Sequence, residues 1–164
     1  MAQTPARPYT RAQIMLHWLI LALIVVQFVS SDGMSAAWRQ LGRGAEPDLS
    51  LLFWVHLVMG SVILGLVVIR IGLRLRHGAP ALPEDEPPAL QWIARLTHLG
   101  LYALMLAMPV SGLVAWYGGV RAAGDAHEVL KALLLVLIGL HIAGALYQQF
   151  VLKTNIMARM KRPG

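Results

Sequence analysis

The sequence predicts an all-α membrane protein, a bundle of four transmembrane helices with both termini in the cytoplasm. Of its 164 residues, 57% are hydrophobic and only 13% are charged, whereas a soluble domain has about 25% charged residues. Four apolar stretches each approach the ~20 residues that span a bilayer. Basic residues are concentrated on one side of those stretches, as membrane topology requires.

The four stretches give the elements in chain order. We predict helices over 14–30, 51–71, 93–117 and 127–150, within one domain that covers 1–164. The first stretch is longer than the roughly 7–15 apolar residues of a secretory signal, and three more spans follow it. We therefore expect it to be a retained helix. The chain has no cysteine, which excludes iron–sulfur clusters, thiolate ligation of haem and covalent haem attachment.

The distribution of Lys and Arg predicts the orientation. The side of the termini carries ten: Arg7, Arg11, Arg70, Arg74, Arg76, Arg95, Lys153, Arg159, Lys161 and Arg162. The opposite side carries Arg39, Arg43, Arg121 and Lys131. The positive-inside rule then places both termini in the cytoplasm, together with a proline-rich acidic stretch over 79–88. Because topology accounts for the net charge of +6, we predict no nucleic-acid partner.

Histidines inside the spans are the candidate functional residues, because ionisable groups in a bilayer are costly and usually functional. His127 and His141 lie fourteen residues apart on the fourth helix, so they share a face and are separated by roughly 21 Å along the axis. His17 and His56 begin the first two spans. With the N-terminus inside, the levels match as His56 with His127 outside and His17 with His141 inside.

Two neutral imidazoles on opposite faces of one iron give a six-coordinate haem that transfers electrons. The four histidines therefore predict two stacked haems, held without covalent bonds, and electron transfer across the membrane. The alternative for each histidine is a hydrogen bond to a neighbouring carbonyl. On that alternative the chain is a haem-free transporter or scaffold.

Other residues near the predicted inner level each have two possible roles. His98 begins the third helix and competes with His17 as the partner of His141, a choice that spacing alone leaves open. Arg11, Arg70 and Arg74 are candidates to pair with haem propionates through charge-assisted hydrogen bonds. The alternative for each arginine is an ordinary anchor at the inner membrane face.

Short motifs in sequence order resemble a known family. They are Tyr9-Thr10-Arg11 before Leu16-His17-Trp18, His56 before Arg70-x-x-x-Arg74, His98 through Met108-Pro109-Val110-Ser111-Gly112, His127 with Ile138-Gly139-Leu140-His141, and Phe150-x-x-Lys153-x-Asn155 with Arg159-Met160. Taken together they resemble the bacterial cytochrome b561 family of small four-helix di-haem cytochromes. The resemblance covers nearly the whole chain.

The resemblance implies that His17 and His141 bind an inner haem b, that His56 and His127 bind an outer one, and that His98 is not an axial ligand. It implies a multi-pass protein of the bacterial inner membrane, surrounded by lipid, which passes electrons from superoxide or another periplasmic donor to ubiquinone. Related subunits of formate dehydrogenases and nickel–iron hydrogenases instead receive electrons from a partner redox protein. We keep that role as the alternative function.

The two ends of such an electron path have separate candidate residues. Arg39, Arg43, Arg121 and Lys131 would give the outer face a positive field that attracts superoxide. His98, Gln148 and Lys153 are the polar candidates for a quinone site near the inner haem.

Overall fold

Four long helices make up most of the chain that the structure describes. The computed structural model describes residues 8–78, 87–154 and 156–161. In these ranges α1 is Arg11–Gly42, α2 is Leu51–His77, α3 is Pro88–Gly118 and α4 is Arg121–Phe150, followed by a 3-10 helix over Ile156–Met160. All four α-helices are long and apolar enough to cross a membrane, which confirms the predicted four-helix transmembrane bundle. Most of the predicted proline-rich stretch, residues 79–86, lies outside the described residues.

The helices extend beyond the predicted apolar stretches because local capping, not hydropathy, decides where a helix ends. Thr10 caps α1: its hydroxyl accepts from the Gln13 backbone N–H at 3.2 Å, and the Gln13 side chain accepts from the Thr10 N–H at 3.0 Å. This reciprocal pair is a capping box. At its other end α1 continues beyond residue 30, where the predicted helix ended, to Gly42. Part of the segment predicted to connect the first two helices is therefore helical.

Two helical hairpins make up the bundle. The most extensive packing joins α1 to α2 and α3 to α4, and a smaller contact joins α2 to α3. Small residues permit the close approaches. A Cβ at Gly33 would lie 2.6 Å from the Phe53 nitrogen, and one at Gly100 would lie 2.6 Å from the Leu137 Cδ1. We call the boundary between the α1–α2 hairpin and the α3–α4 hairpin the seam.

Few side chains are buried, because most apolar groups point away from the bundle. The core cluster is Ile20, Ile63 and Val67, with Met105 and other partly buried residues packed against it. By contrast Leu75 is 80% exposed. An outer surface of apolar side chains on fully hydrogen-bonded helices is what a bilayer requires.

Both described chain ends lie at the same end of the bundle. The Trp18 indole on α1 donates to the Met160 carbonyl at 2.9 Å. Lys153, with a φ of 54°, turns the chain after α4 so that the 3-10 helix packs back on α4. The membrane side on which this end lies remains the prediction made from the Lys and Arg distribution.

Candidate functional site: two imidazole pairs across the seam

The structure brings the four predicted histidines together as two pairs. The ring centroids of His17 on α1 and His141 on α4 are 6.1 Å apart. Those of His56 on α2 and His127 on α4 are 6.4 Å apart. All four side chains are half-buried. Each pair takes one imidazole from each hairpin, so both pairs bridge the seam.

The two rings of each pair face each other with space for a group between them. Within residues 8–78, 87–154 and 156–161, no three His, Asp or Glu side chains are placed to hold a metal ion together. A chelated structural or catalytic ion usually needs at least three protein ligands. Two opposed imidazoles instead suit an iron whose other four positions are filled by a macrocycle.

A large cavity adjoins the His56–His127 pair. Its volume is about 280 Å³ and its walls come from all four helices, chiefly as apolar side chains such as Ile24, Leu57 and Leu134. The extension of α1 beyond residue 30 closes one side, with Met34 and Trp38 facing the cavity. The cavity therefore offers an apolar space beside the two imidazoles for a flat apolar group.

Gln27 fixes the orientation of His56. The His56 Nδ1–H donates to the Gln27 carbonyl at 3.2 Å, and the Gln27 side-chain amide donates to the His56 carbonyl at 3.0 Å. This double link ties α1 to α2. With the proton on Nδ1, the Nε2 of His56 keeps its lone pair for a metal.

Helix α3 fixes His127 in the same way. The His127 Nδ1–H donates to the Met108 carbonyl at 2.9 Å, and the Ser111 hydroxyl lies 3.1 Å from the same nitrogen. A Cβ at Gly112 would lie 3.2 Å from the His127 Cε1. Glycine at 112 therefore lets the imidazole rest against α3.

Polar side chains surround the His17–His141 pair. The Arg70 Nη2 lies 3.5 Å from the His17 Nδ1, while its Nη1 donates to the Gln13 carbonyl at 2.6 Å. The His98 ring is 5.0 Å from the His141 ring, and its Nδ1–H donates to the Ala94 carbonyl at 2.7 Å. Because His98 and His141 belong to the same hairpin, their contact does not cross the seam.

The structure places the three candidate propionate partners differently. Arg70 is next to His17, as described above. Arg74 stacks on the Tyr102 ring, 5.6 Å from its centroid, and lines a small cavity of about 10 Å³ with Arg70 and Gln13. Arg11 is exposed at the first residue of α1.

The residues predicted for the two ends of the electron path are also separated. Arg39, Arg43 and Arg121 are exposed. Lys131 is half-buried and forms an ion pair with Glu128. At the opposite end Lys153 is exposed, and Gln148 is buried with its Oε1 accepting from the Thr154 hydroxyl at 2.8 Å.

Gln27 and Ser111 were not predicted as functional residues from the sequence. Both are polar residues inside apolar stretches, and a polar group in a span signals a hydrogen-bonded partner. That signal was available for both residues. The partners themselves are backbone carbonyls, which no residue pattern reveals.

Comparison with known proteins gives matches over nearly the whole chain. Residues 8–163 match a family model described as prokaryotic cytochrome b561. Cytochrome b562 of Cereibacter sphaeroides is 34% identical over 163 residues, which is 99% of each chain. "Probable superoxide oxidase CybB" of Yersinia pestis is 29% identical over 94% of this chain and 96% of its own. "Cytochrome b561 homolog 1" of Escherichia coli K12 is 24% identical, covering 93% and 96%.

Proposed function

The chain belongs to the prokaryotic cytochrome b561 family, and we propose that it is a di-haem b cytochrome that carries electrons across a bacterial inner membrane to quinone. Family membership and four membrane-spanning helices make it a membrane protein with a b-type haem. The number of haems, their ligands, the donor and the acceptor are our proposals.

The spacing of the imidazole pairs is the observation that carries the proposal. Two metal–imidazole bonds of about 2.0–2.1 Å, with the ring radius added on each side, put the centroids of two axial imidazoles about 6 Å apart. The separations of 6.1 and 6.4 Å agree with that value. The 5.0 Å between His98 and His141 is too short for an iron between them. This supports His17, and not His98, as the partner of His141.

The chain's own residues then have separate tasks. His17 with His141, and His56 with His127, hold one haem b each. The carbonyls of Gln27 and Met108 hold the imidazole protons on Nδ1, and Arg70, Arg74 and Arg11 are the candidates for the propionates. When bound, each haem supplies a one-electron carrier at its own level. The two levels are roughly 21 Å apart by helix rise.

Superoxide is the proposed donor. Two superoxide anions would each lose one electron and leave as O₂, while one quinone takes up two electrons and two protons to become quinol. Exposed Arg39, Arg43 and Arg121 lie at the end of the bundle next to the His56–His127 pair, where a positive field raises the encounter rate of a small anion. The similarity to a protein named as a probable superoxide oxidase supports this choice.

Quinone reduction is proposed at the opposite end, next to the His17–His141 pair. Several polar side chains lie close together there. The outer surface of the bundle is apolar, so a lipid-soluble quinone can reach them from the membrane. His98, Gln148 and Lys153 are the candidate residues, with His98 in direct ring contact with His141.

A haem assay followed by rapid mixing tests the proposal. We expect two haems b per purified chain and prompt haem reduction when superoxide is mixed with the oxidised protein, with quinol as the product. A matched sample containing superoxide dismutase should show no reduction. A colourless protein or a single haem rejects the di-haem proposal, and two haems without reduction by superoxide reject only the donor.

One observation favours a second candidate function, transfer from a partner redox protein. The extension of α1 to Gly42 makes part of the connection at the donor end helical, which gives a partner protein a regular surface to dock on. Purification in a mild detergent separates the candidates, because a stoichiometric partner carrying its own redox centre supports the second one.

A further inference from the structure

The two imidazole pairs have different chemical surroundings. At the His56–His127 pair, both Nδ1–H groups donate to backbone carbonyls, and the Ser111 hydroxyl adds a second acceptor for His127. Ser111 donates its own proton to the Met108 carbonyl at 2.8 Å, so its lone pair faces the imidazole. A histidine whose second nitrogen donates to such acceptors becomes a more basic ligand.

At the His17–His141 pair a permanent positive charge replaces these acceptors. The Arg70 guanidinium lies beside the His17 ring and is held there by its bond to the Gln13 carbonyl. Arginine keeps its charge at all relevant pH values. Arg74 adds a second cation on the same side of α2. At the other pair, the half-buried Lys131 is compensated by Glu128, and the arginines at that end are exposed, so solvent screens their charge.

These differences act on haem potential in opposite directions. A ferric haem carries one more positive charge than a ferrous haem, so a basic ligand stabilises the ferric form and a nearby cation destabilises it. We infer that the haem of the His56–His127 pair has the lower reduction potential and that of the His17–His141 pair the higher, with Ser111 and Arg70 as the positioning residues. The inference rests on the proposed di-haem function and gives it a direction, since electrons then run downhill toward the His17–His141 end.

A spectroelectrochemical titration of the intact di-haem protein in detergent tests the inference. We expect two resolved steps. Arg70→Gln should lower the reduction potential of the high-potential component only. Arg70→Lys, which keeps the charge, should leave that potential near the wild-type value. Ser111→Ala should raise the reduction potential of the low-potential component only. Ser111→Thr, which keeps the hydroxyl, should leave that potential near the wild-type value. Arg76→Gln removes the same charge from an exposed position on α2 and should shift neither step.

The single-haem variant His141→Ala assigns the steps, because we expect it to keep only the His56–His127 haem. Its potential should match the low component. A match to the high component overturns the inference, as does a shift of the wrong component, or of neither, in the Arg70 and Ser111 variants that retain both haems. A wild-type protein with fewer than two haems would instead reject the proposed function, so the two failures are distinguishable.

Discussion

The two ends of the bundle use the same ligand type in different settings. The His56–His127 end has a large apolar cavity, rings locked to backbone carbonyls and an α1 extension as a wall. The His17–His141 end has a third histidine, two arginines and a cavity of about 10 Å³. On the proposed function, the four histidines determine where the two haems lie, whereas the groups behind each ring determine how the two haems differ.

Removing one proposed haem ligand should change the comparison between the two ends most. We expect His141→Ala to lose the haem at its own level and to keep the haem of the His56–His127 pair, because the two pairs share no ring. Haem content per chain and the low-temperature optical spectrum measure this. His77→Ala, at an exposed position, is the control and should keep both haems. Loss of both haems in the His141 variant would show that the two levels are not independent.

Overpacking the close crossing of α1 and α2 should disturb the His56–His127 end. A Cβ at Gly33 would lie 2.6 Å from the Phe53 nitrogen, and backbone atoms cannot move aside cheaply. We expect Gly33→Ala to destabilise the protein by about 1–3 kcal/mol, the usual cost of overpacking, and to lower its thermal midpoint. Gly42→Ala on the same helix, where a Cβ meets nothing within 4 Å, is the matched control. Equal midpoints in the two variants would contradict the close crossing.

The hydrogen bond that holds the 3-10 helix at the other end should contribute less to stability. Trp18→Phe removes the indole donor to the Met160 carbonyl and keeps an aromatic ring. We expect a loss of about 0.5–1.5 kcal/mol, the typical net value of one hydrogen bond, seen as faster proteolysis after α4. Trp92→Phe, at another exposed tryptophan, should leave the cleavage rate unchanged. Unchanged proteolysis in the Trp18 variant would mean that the 3-10 helix is held without this bond.

His98 provides the smallest expected change in haem content. Because it lies in the same hairpin as His141 and too close for an iron between them, we expect His98→Ala to keep both haems with unaltered axial-ligand spectra. Loss of the haem at that level would exchange the roles of His17 and His98.

Much of the fold was readable from the sequence, because hydropathy reports directly which stretches face lipid. Helix ends were not. The Thr10–Gln13 capping box and the continuation of α1 to Gly42 depend on local hydrogen bonds that hydropathy does not measure. The four histidines, and their pairing by height, followed from helix rise and topology. The hydrogen-bond acceptors of the imidazoles could not be predicted, because the Gln27 and Met108 carbonyls are main-chain atoms that packing between helices brings near.

The position of the imidazole pairs across the seam bears on biogenesis. Each hairpin can insert into the bilayer as a unit, since its own helices satisfy their backbone groups. Both imidazole pairs, however, take one ring from each hairpin. Each bound haem would then join the two hairpins after they have inserted separately. We expect haem absorbance and resistance to proteolysis to appear together during maturation. In cells that lack porphyrin, the two hairpins would stay loosely associated and the chain would be degraded faster.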